Sequence, residues 1–225
     1  MPLLGIIFDF DGVIADTESL HLRAYQDVLA DTQMTLTKET YESKYLGYDD
    51  VGVFTTIGQD QGVALSADDL MRLMNAKGQR YNQLVGTEDV VFPAARSCIE
   101  RLARTVVLGV ASGALHQEIE DILAGAELRR HFSAIVAADD VERSKPAPDT
   151  YKRAIELLCA TLERPPSPQG FVAIEDSTWG IESAQAAGLP CLGVTTTYGA
   201  DALMRATLVV PSLDQVDSET LSALT

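Results

Sequence analysis

Cysteine is scarce in this sequence. The three present, Cys98, Cys159 and Cys191, are scattered through apolar stretches with no CxxC or Cys/His spacing. That pattern argues against a disulfide framework or a thiolate metal site and reads as reduced core residues of a cytosolic protein. Positive charge is also short. Lys and Arg number 17 against 33 Asp and Glu, for a formal net charge of −16. The balance opposes nucleic-acid binding, which rests on cations meeting backbone phosphates. Any phosphate-bearing substrate would have to be attracted locally, against the field of the whole chain. Long apolar runs are missing too: none approaches the roughly 20 residues of a membrane span. The first apolar stretch is broken by Asp9 and has no basic flank or small-residue cleavage site, so it does not read as a secretory signal. An ordinary apolar share of 46% over 225 residues suffices for one large core, or one core plus a modest second domain.

What is present begins almost at the first residue. Residues 3–8 form a short apolar run rich in branched side chains, as expected of a buried strand, and it ends in Asp9-Phe10-Asp11-Gly12. Alternation along a strand lets Asp9 and Asp11 face one way and Phe8 and Phe10 the other, while Gly12 permits a sharp turn. On their own the two acids read equally well as strand-end caps. Beyond them the spacing predicts helices from about residue 17 and over 38–45, 50–61 and 67–84. Ser66-Ala67-Asp68-Asp69 looks like a helix start, and Leu70, Leu73, Met74 and Tyr81 make an apolar stripe. No strand signal interrupts this stretch.

From residue 90 the pattern alternates. A helix opens at Pro93, strand 105–110 ends in Ala111-Ser112-Gly113, and a helix over 115–123 leads to strand 134–138. A helix over 148–158 precedes strand 170–174, which ends in Glu175-Asp176; helix 181–187 and strands 191–194 and 207–210 follow. This predicts an α/β fold, a Rossmann-like parallel sheet with helices on both faces, which strand 3–8 must join. Residues 1–15 and 88–225 would form that core. The helical block 16–87 is then an inserted cap domain, whose two closely spaced connections would let it move as a lid.

In a parallel sheet the carboxyl ends of the strands share one edge, the usual ligand position. Asp9, Asp11, Glu175 and Asp176 would converge there, and each like-charged pair at about 4 Å costs about 4 kcal/mol at an effective dielectric near 20. Either some are protonated or a cation sits among them. With only oxygen donors at these ends, a hard ion is selected, and Mg²⁺ fits best. Lys145, in Ser144-Lys145-Pro146-Ala147-Pro148-Asp149, follows a strand and precedes a helix. Its charge would offset the carboxylates and draw in a phosphate, although a lone lysine at such a place is usually a surface residue.

Asp9-Phe10-Asp11-Gly12, Ala111-Ser112-Gly113, Ser144-Lys145-Pro146 and Glu175-Asp176 resemble, in order and spacing, the four motifs of the haloacid dehalogenase superfamily. The match spans the whole sheet domain, and the insertion after the first motif resembles that superfamily's helical cap. The wording of residues 9–21 and 144–149 is similar to the β-phosphoglucomutase-like sugar-phosphate phosphatases. The resemblance implies that Asp9 is a nucleophile attacking phosphorus to give an aspartyl phosphate. Asp11 would protonate the leaving alkoxide and then activate water. Ser112, with the backbone N–H groups of Gly113 and Ala114, would hold phosphate oxygens, and Lys145 would bind both phosphate and Asp9. Mg²⁺ would be held by Asp9, the Asp11 backbone carbonyl and Asp176, with Glu175 assisting.

Other positions carry the resemblance with a plain alternative beside it. His21 stands where the family places a substrate-side or acid-positioning residue, and Lys77 with Arg80 resembles the cap's substrate-facing cations. All three read equally as a solvated helix face. Thr17 is a cap, a hinge or a ligand; Trp179 is rim packing; Glu175-Asp176 would otherwise cap the helix from Thr178. The second Asp of the first motif separates phosphate-ester chemistry from the dehalogenases and phosphonatases, which lack it. The β-phosphoglucomutases carry a cap arginine just after a glycine matching Gly47, whereas Tyr48-Asp49-Asp50 follows here. The expectation is a Mg²⁺-dependent phosphatase of a small phosphorylated metabolite, a sugar or polyol phosphate, with neither nucleic acid nor membrane as partner. A phosphosugar mutase is the alternative, and a catalytically idle metabolite- or protein-binding domain the third, against which the presence of both Asp9 and Asp11 argues.

Overall fold

The computed structural model describes residues 2–45, 48 and 50–225. The chain divides into two compact units, Met1–Asp16 with Asp89–Thr225, and Thr17–Glu88. Gly47 and Asp49 lie outside the described residues.

The unit Thr17–Glu88 is helical. Its elements are α1 (Thr17–Leu29), α2 (Lys38–Thr40) running into a π-helical turn over Tyr41–Tyr45, α3 (Asp50–Gln61) and α4 (Ala67–Val85). Ser66 and Asp69 form a reciprocal capping box at the start of α4, with bonds of 3.2 and 3.1 Å, which satisfies two otherwise orphaned N–H groups. The helix expected over 38–45 widens after its first turn. Tyr41 and Tyr45 are both buried there, with hydroxyls donating to Glu18 at 2.6 Å and Asp60 at 2.7 Å. Leu22, Tyr25, Leu29, Phe54, Ile57 and Leu73 make this unit's own core, with Leu70 and Met74 packed at its margin.

The other unit is built on six parallel strands: β1 (Gly5–Phe8), β2 (Val107–Ala111), β3 (Phe132–Val136), β4 (Phe171–Glu175), β5 (Cys191–Val194) and β6 (Leu208–Val210). Their order is β3-β2-β1-β4-β5-β6. Helices α5 (Pro93–Leu102), α6 (His116–Gly125), α7 (Asp149–Thr161) and α8 (Thr178–Ala186) connect them, and α9 (Ser218–Ser222) follows. Every residue of β1, β4 and β5 is buried, as expected of parallel strands covered on both faces. Tyr151, Ile155 and Leu158 of α7 pack with Ile181 and Ala184 of α8 against Ile7, Ala111 and Ala173. Each such buried aliphatic side chain contributes about 1.5–3 kcal/mol.

The third strand starts at Phe132, two residues before its expected position. Exposed Ser133 interrupts the apolar pattern, and residues beyond Ala137 turn into a 3₁₀ helix because the Asp140 carboxylate accepts the Ala137 N–H at 2.9 Å. The segments flanking the helical insertion lie side by side. Asp16 N–H donates to Val90 at 2.9 Å, and Phe92 N–H donates to Ile14 at 2.9 Å. No helix among the described residues is long and apolar enough to cross a membrane.

Candidate active site

Strand register explains why the acids meet. Phe8 is paired with Ile174 of β4 and with Val110 of β2, so Asp9 stands level with Glu175 on one side and Ala111 on the other. Parallel neighbours in register point to the same face, which turns Asp9 and Glu175 together. Asp9 N–H continues the ladder to Ile174 at 2.8 Å. Lys145 arrives from the loop between β3 and α7, and its ammonium lies 2.6 Å from Asp9 Oδ1 and 2.6 Å from Glu175 Oε1. Its side chain is only 7% exposed, so it is not the surface lysine that its sequence context alone suggests.

Glu175 is fully buried and fully engaged. Its Oε1 also accepts the Tyr151 hydroxyl at 2.8 Å, and its Oε2 accepts the Ser177 hydroxyl at 3.2 Å. Neither Glu175 nor Asp176 caps α8. Ser177 does so, accepting the Gly180 N–H at 3.1 Å. Ser112 is buried at the end of β2, where its N–H donates to Val136 at 2.9 Å and its Oγ accepts the Ala114 N–H at 3.0 Å. Gly12 takes a positive φ of 75°, and a Cβ there would overlap Asp176 Oδ2, so the turn after the first motif and the second acid of the fourth are fitted to one another.

The electrostatics are those of crowded carboxylates. Burial, and next the Glu175 carboxylate, push Asp9 well above the ordinary carboxylate range; Lys145 opposes them, and Asp176 and Asp11 add to the rise. Asp176 is pushed up to about 7, first by burial, against a hydrogen bond from Thr197 that favours its charged form. Burial alone would lower the Lys145 ammonium, but Asp9 and Glu175 outweigh it and hold its proton more tightly than usual. Oxygens of Asp9, Glu175 and Asp176 lie within 4.8 Å of one another. One lysine among three carboxylates leaves excess negative charge on an all-oxygen donor set, which suits a hard divalent cation such as Mg²⁺.

His21 and Lys77 come together inside the helical unit. The Lys77 ammonium, on a side chain 5% exposed, pairs with Asp50 at 2.8 Å and lies 2.8 Å from His21 Nδ1. It also sits 4.8 Å from the Tyr25 ring centre and 5.3 Å from that of Tyr81, while His21 stacks on Tyr81 at 4.2 Å. Asp50 further accepts the Tyr25 hydroxyl at 2.6 Å. Burial, and secondarily the Lys77 charge, hold His21 down to about 3, so it is a neutral acceptor. The solvated-face reading is wrong for Lys77, because its cation has partners on three helices. Arg80 instead pairs with Asp27 at 2.6 Å. Thr17 is the buried first residue of α1, and Trp179 is 48% exposed with its edge to Tyr198 at 5.8 Å.

Three participants are not apparent from the sequence. Tyr151 has the spacing of a core residue on α7, and no signal in the sequence marks its hydroxyl. Gly180 is the third residue of α8 but lies before the helix expected over 181–187, so its close approach to Glu175 is not marked in the sequence. Thr197 follows a strand end, the one clue to its place.

The family profile described as haloacid dehalogenase-like hydrolase matches residues 6–194. Fructose-1-phosphate phosphatase YqaB of Escherichia coli (strain K12) is 31% identical over 199 residues, covering 84% of this chain and 95% of that protein. The structure of CbbY from Rhodobacter sphaeroides in complex with phosphate is similar with a TM-score of 0.76 and 25% identity, over 95% of this chain and 96% of the other. β-Phosphoglucomutase from Clostridium difficile shares the fold, with a TM-score of 0.74 and 23% identity over 99% and 96% of the two chains. The chain belongs to the haloacid dehalogenase-like hydrolase family, as an enzyme of its phosphoric monoester hydrolase type.

Proposed function

We propose that this enzyme is a Mg²⁺-dependent phosphatase of small phosphorylated metabolites, sugar or polyol phosphates, working through an aspartyl phosphate on Asp9. The observation that carries the reading is the Asp9–Lys145–Glu175 cluster, with Asp176 beside it, at the carboxyl end of the central strands. A Lys145 ammonium on Asp9 Oδ1 orients that carboxylate and leaves Oδ2 for attack on phosphorus. As the new O–P bond forms, the ester O–P bond breaks and the alkoxide takes a proton from Asp11. Water then attacks the acyl phosphate, Asp11 recovers the proton, and inorganic phosphate leaves with Asp9 restored. Ser112, the Gly113 N–H and the Ala114 N–H, which would have to leave Ser112 Oγ, are the proposed phosphate cradle, Lys145 its charge, and Glu175 the residue that holds Lys145 in place. Asp9, the Asp11 carbonyl, Asp176 and Glu175 would hold the Mg²⁺, which when bound supplies the positive charge that keeps Asp9 ionised and offsets the phosphoryl oxygens.

His21 and Lys77 are proposed to recognise the alcohol part of the substrate. Because Asp50 already neutralises Lys77, that group offers little net charge to a second phosphate, which supports a phosphatase over a mutase. A relative named as a fructose-1-phosphate phosphatase supports the same choice. Three buried, unpaired cysteines support a cytoplasmic setting.

The test is hydrolysis of p-nitrophenyl phosphate and of a sugar-phosphate panel with Mg²⁺. EDTA should abolish turnover, and Asp9→Asn should lower it about 10³-fold or more. Full activity in Asp9→Asn would overturn the nucleophile assignment, and conversion of β-glucose 1-phosphate to glucose 6-phosphate without phosphate release would favour the mutase.

A further inference from the structure

The loop carrying Ser112 is braced by one histidine outside the acidic cluster. His116 is the first residue of α6, two residues beyond Ala114. Its backbone N–H donates to Asp139 Oδ1 at 2.9 Å, and its ring Nδ1 lies 2.7 Å from Asp140 Oδ2. The same Oδ2 accepts the Ala137 N–H at 2.9 Å, and Ala138 N–H donates to Ala114 at 3.0 Å. Residues 112–116 are thereby laced to residues 137–140, which run on toward Lys145. On its other side, Nε2 of His116 faces Glu120 at 3.6 Å, and Glu120 is in turn held by Arg129 at 2.7 Å.

We propose that His116 is a positioning residue that, as an imidazolium bridging Asp140 and Glu120, holds the phosphate cradle 112–114 in register with the segment leading to Lys145. The inference rests on the phosphatase reading of those two loops. Its chemistry is that of a two-sided donor. A neutral imidazole has one N–H: serving Asp140 leaves a lone pair toward Glu120, and serving Glu120 leaves one toward Asp140. The imidazolium donates to Asp140 at 2.7 Å and turns its remaining N–H and its charge toward Glu120, an ion pair at 3.6 Å and not a hydrogen bond. The charged groups facing the ring are Asp140 and Asp139 from the turn after β3 and Glu120 from α6 itself, with Arg129 beyond Glu120 and Arg153 acting on Asp140. The hydrogen bond to Asp140 leads them in raising the His116 pKa above its ordinary 6.5, although at 38% exposure solvent screens part of the effect. Deprotonation as the pH rises would therefore loosen the brace, not tighten it.

Steady-state kinetics with p-nitrophenyl phosphate, and inhibition by inorganic phosphate, test this across about pH 5.5 to 9, where a perturbed histidine titrates. His116→Ala should raise KM and the phosphate inhibition constant about five- to tenfold with kcat within about twofold, the loss expected of one hydrogen bond whose charge solvent largely screens. The wild-type KM should climb as His116 deprotonates. His116→Gln, which keeps one donor, should restore part of the affinity with no such climb. In NMR titration the His116 ring should fall back toward its ordinary value in Asp140→Asn. Unchanged constants in His116→Ala, or the same KM profile in His116→Gln, would overturn the proposal while leaving an active wild type as a phosphatase. A wild type inert to every phosphate ester would remove the phosphatase reading and this inference with it.

Discussion

Replacing Gly180 with alanine is a sharp test of how the site is built. In a helix this change ordinarily stabilises, by about 1 kcal/mol, because alanine has less backbone freedom to lose. Gly180 lies in the first turn of α8, where a Cβ would overlap Oε1, Oε2 and Cδ of Glu175. Glu175 has no slack to yield. It is fully buried and bonded to Lys145, Tyr151 and Ser177. Expelling one partner of a buried ion pair costs about 3–5 kcal/mol, so after the propensity gain the loss should be about 2–4 kcal/mol. Urea unfolding measures it as a lower midpoint at unchanged slope. Turnover should fall as well, at least about tenfold, because Lys145 loses the Glu175 carboxylate that holds it on Asp9. Gly78, in the middle of α4, is the control, since a Cβ added there would meet no atom within 4 Å. There the same substitution should stabilise by about 0.5–1 kcal/mol. A Gly180→Ala protein as stable and active as the wild type would refute the claim that Glu175 is locked in place.

The helical unit yields two further expectations. Lys77→Met should destabilise it by about 3 kcal/mol, the low end for a broken buried pair, because Asp50 keeps 31% of its side-chain surface in water; faster amide exchange along α1 and α4 would register the loss, and unchanged exchange would contradict it. His21 makes the same unit acid-sensitive. Its folded pKa of about 3 lies below the ordinary 6.5, so the folded state binds fewer protons, and stability that is complete above 6.5 is lost as the pH falls toward 3. Between pH 7 and pH 5 this amounts to about 2 kcal/mol. The urea midpoint of His21→Gln should lose that part of the pH dependence; an identical slope would show that other groups carry it.

The sheet was legible because its physics is local to the chain. Short branched runs such as residues 5–8 and 171–175, each bounded by turn residues, read as buried strands, and the acids and Ser112 fall at their ends by counting. Boundaries moved where a side chain took over a backbone bond, as Asp140 does for Ala137. Lys145 and Lys77 are the instructive pair. Both are lysines that composition alone would leave in solvent, yet both are buried, because each completes a set of partners drawn from distant segments: Asp9 and Glu175 for one, Asp50 and His21 for the other. The motif around Lys145 implies Asp9 as a partner only through its family resemblance, and nothing within a few residues of Lys77 specifies Asp50 or His21. A burial of this kind is decided by whether the carboxylates left behind would be more costly without it. For Asp9 and Glu175, facing the same way on adjacent strands, they would: removing the cation leaves buried like charges within 4.8 Å of one another, with only the Tyr151 and Ser177 hydroxyls to offset Glu175. The register that makes the acids legible is therefore also what requires the lysine, and Lys145 is a consequence of Asp9 and Glu175 as much as a partner to them.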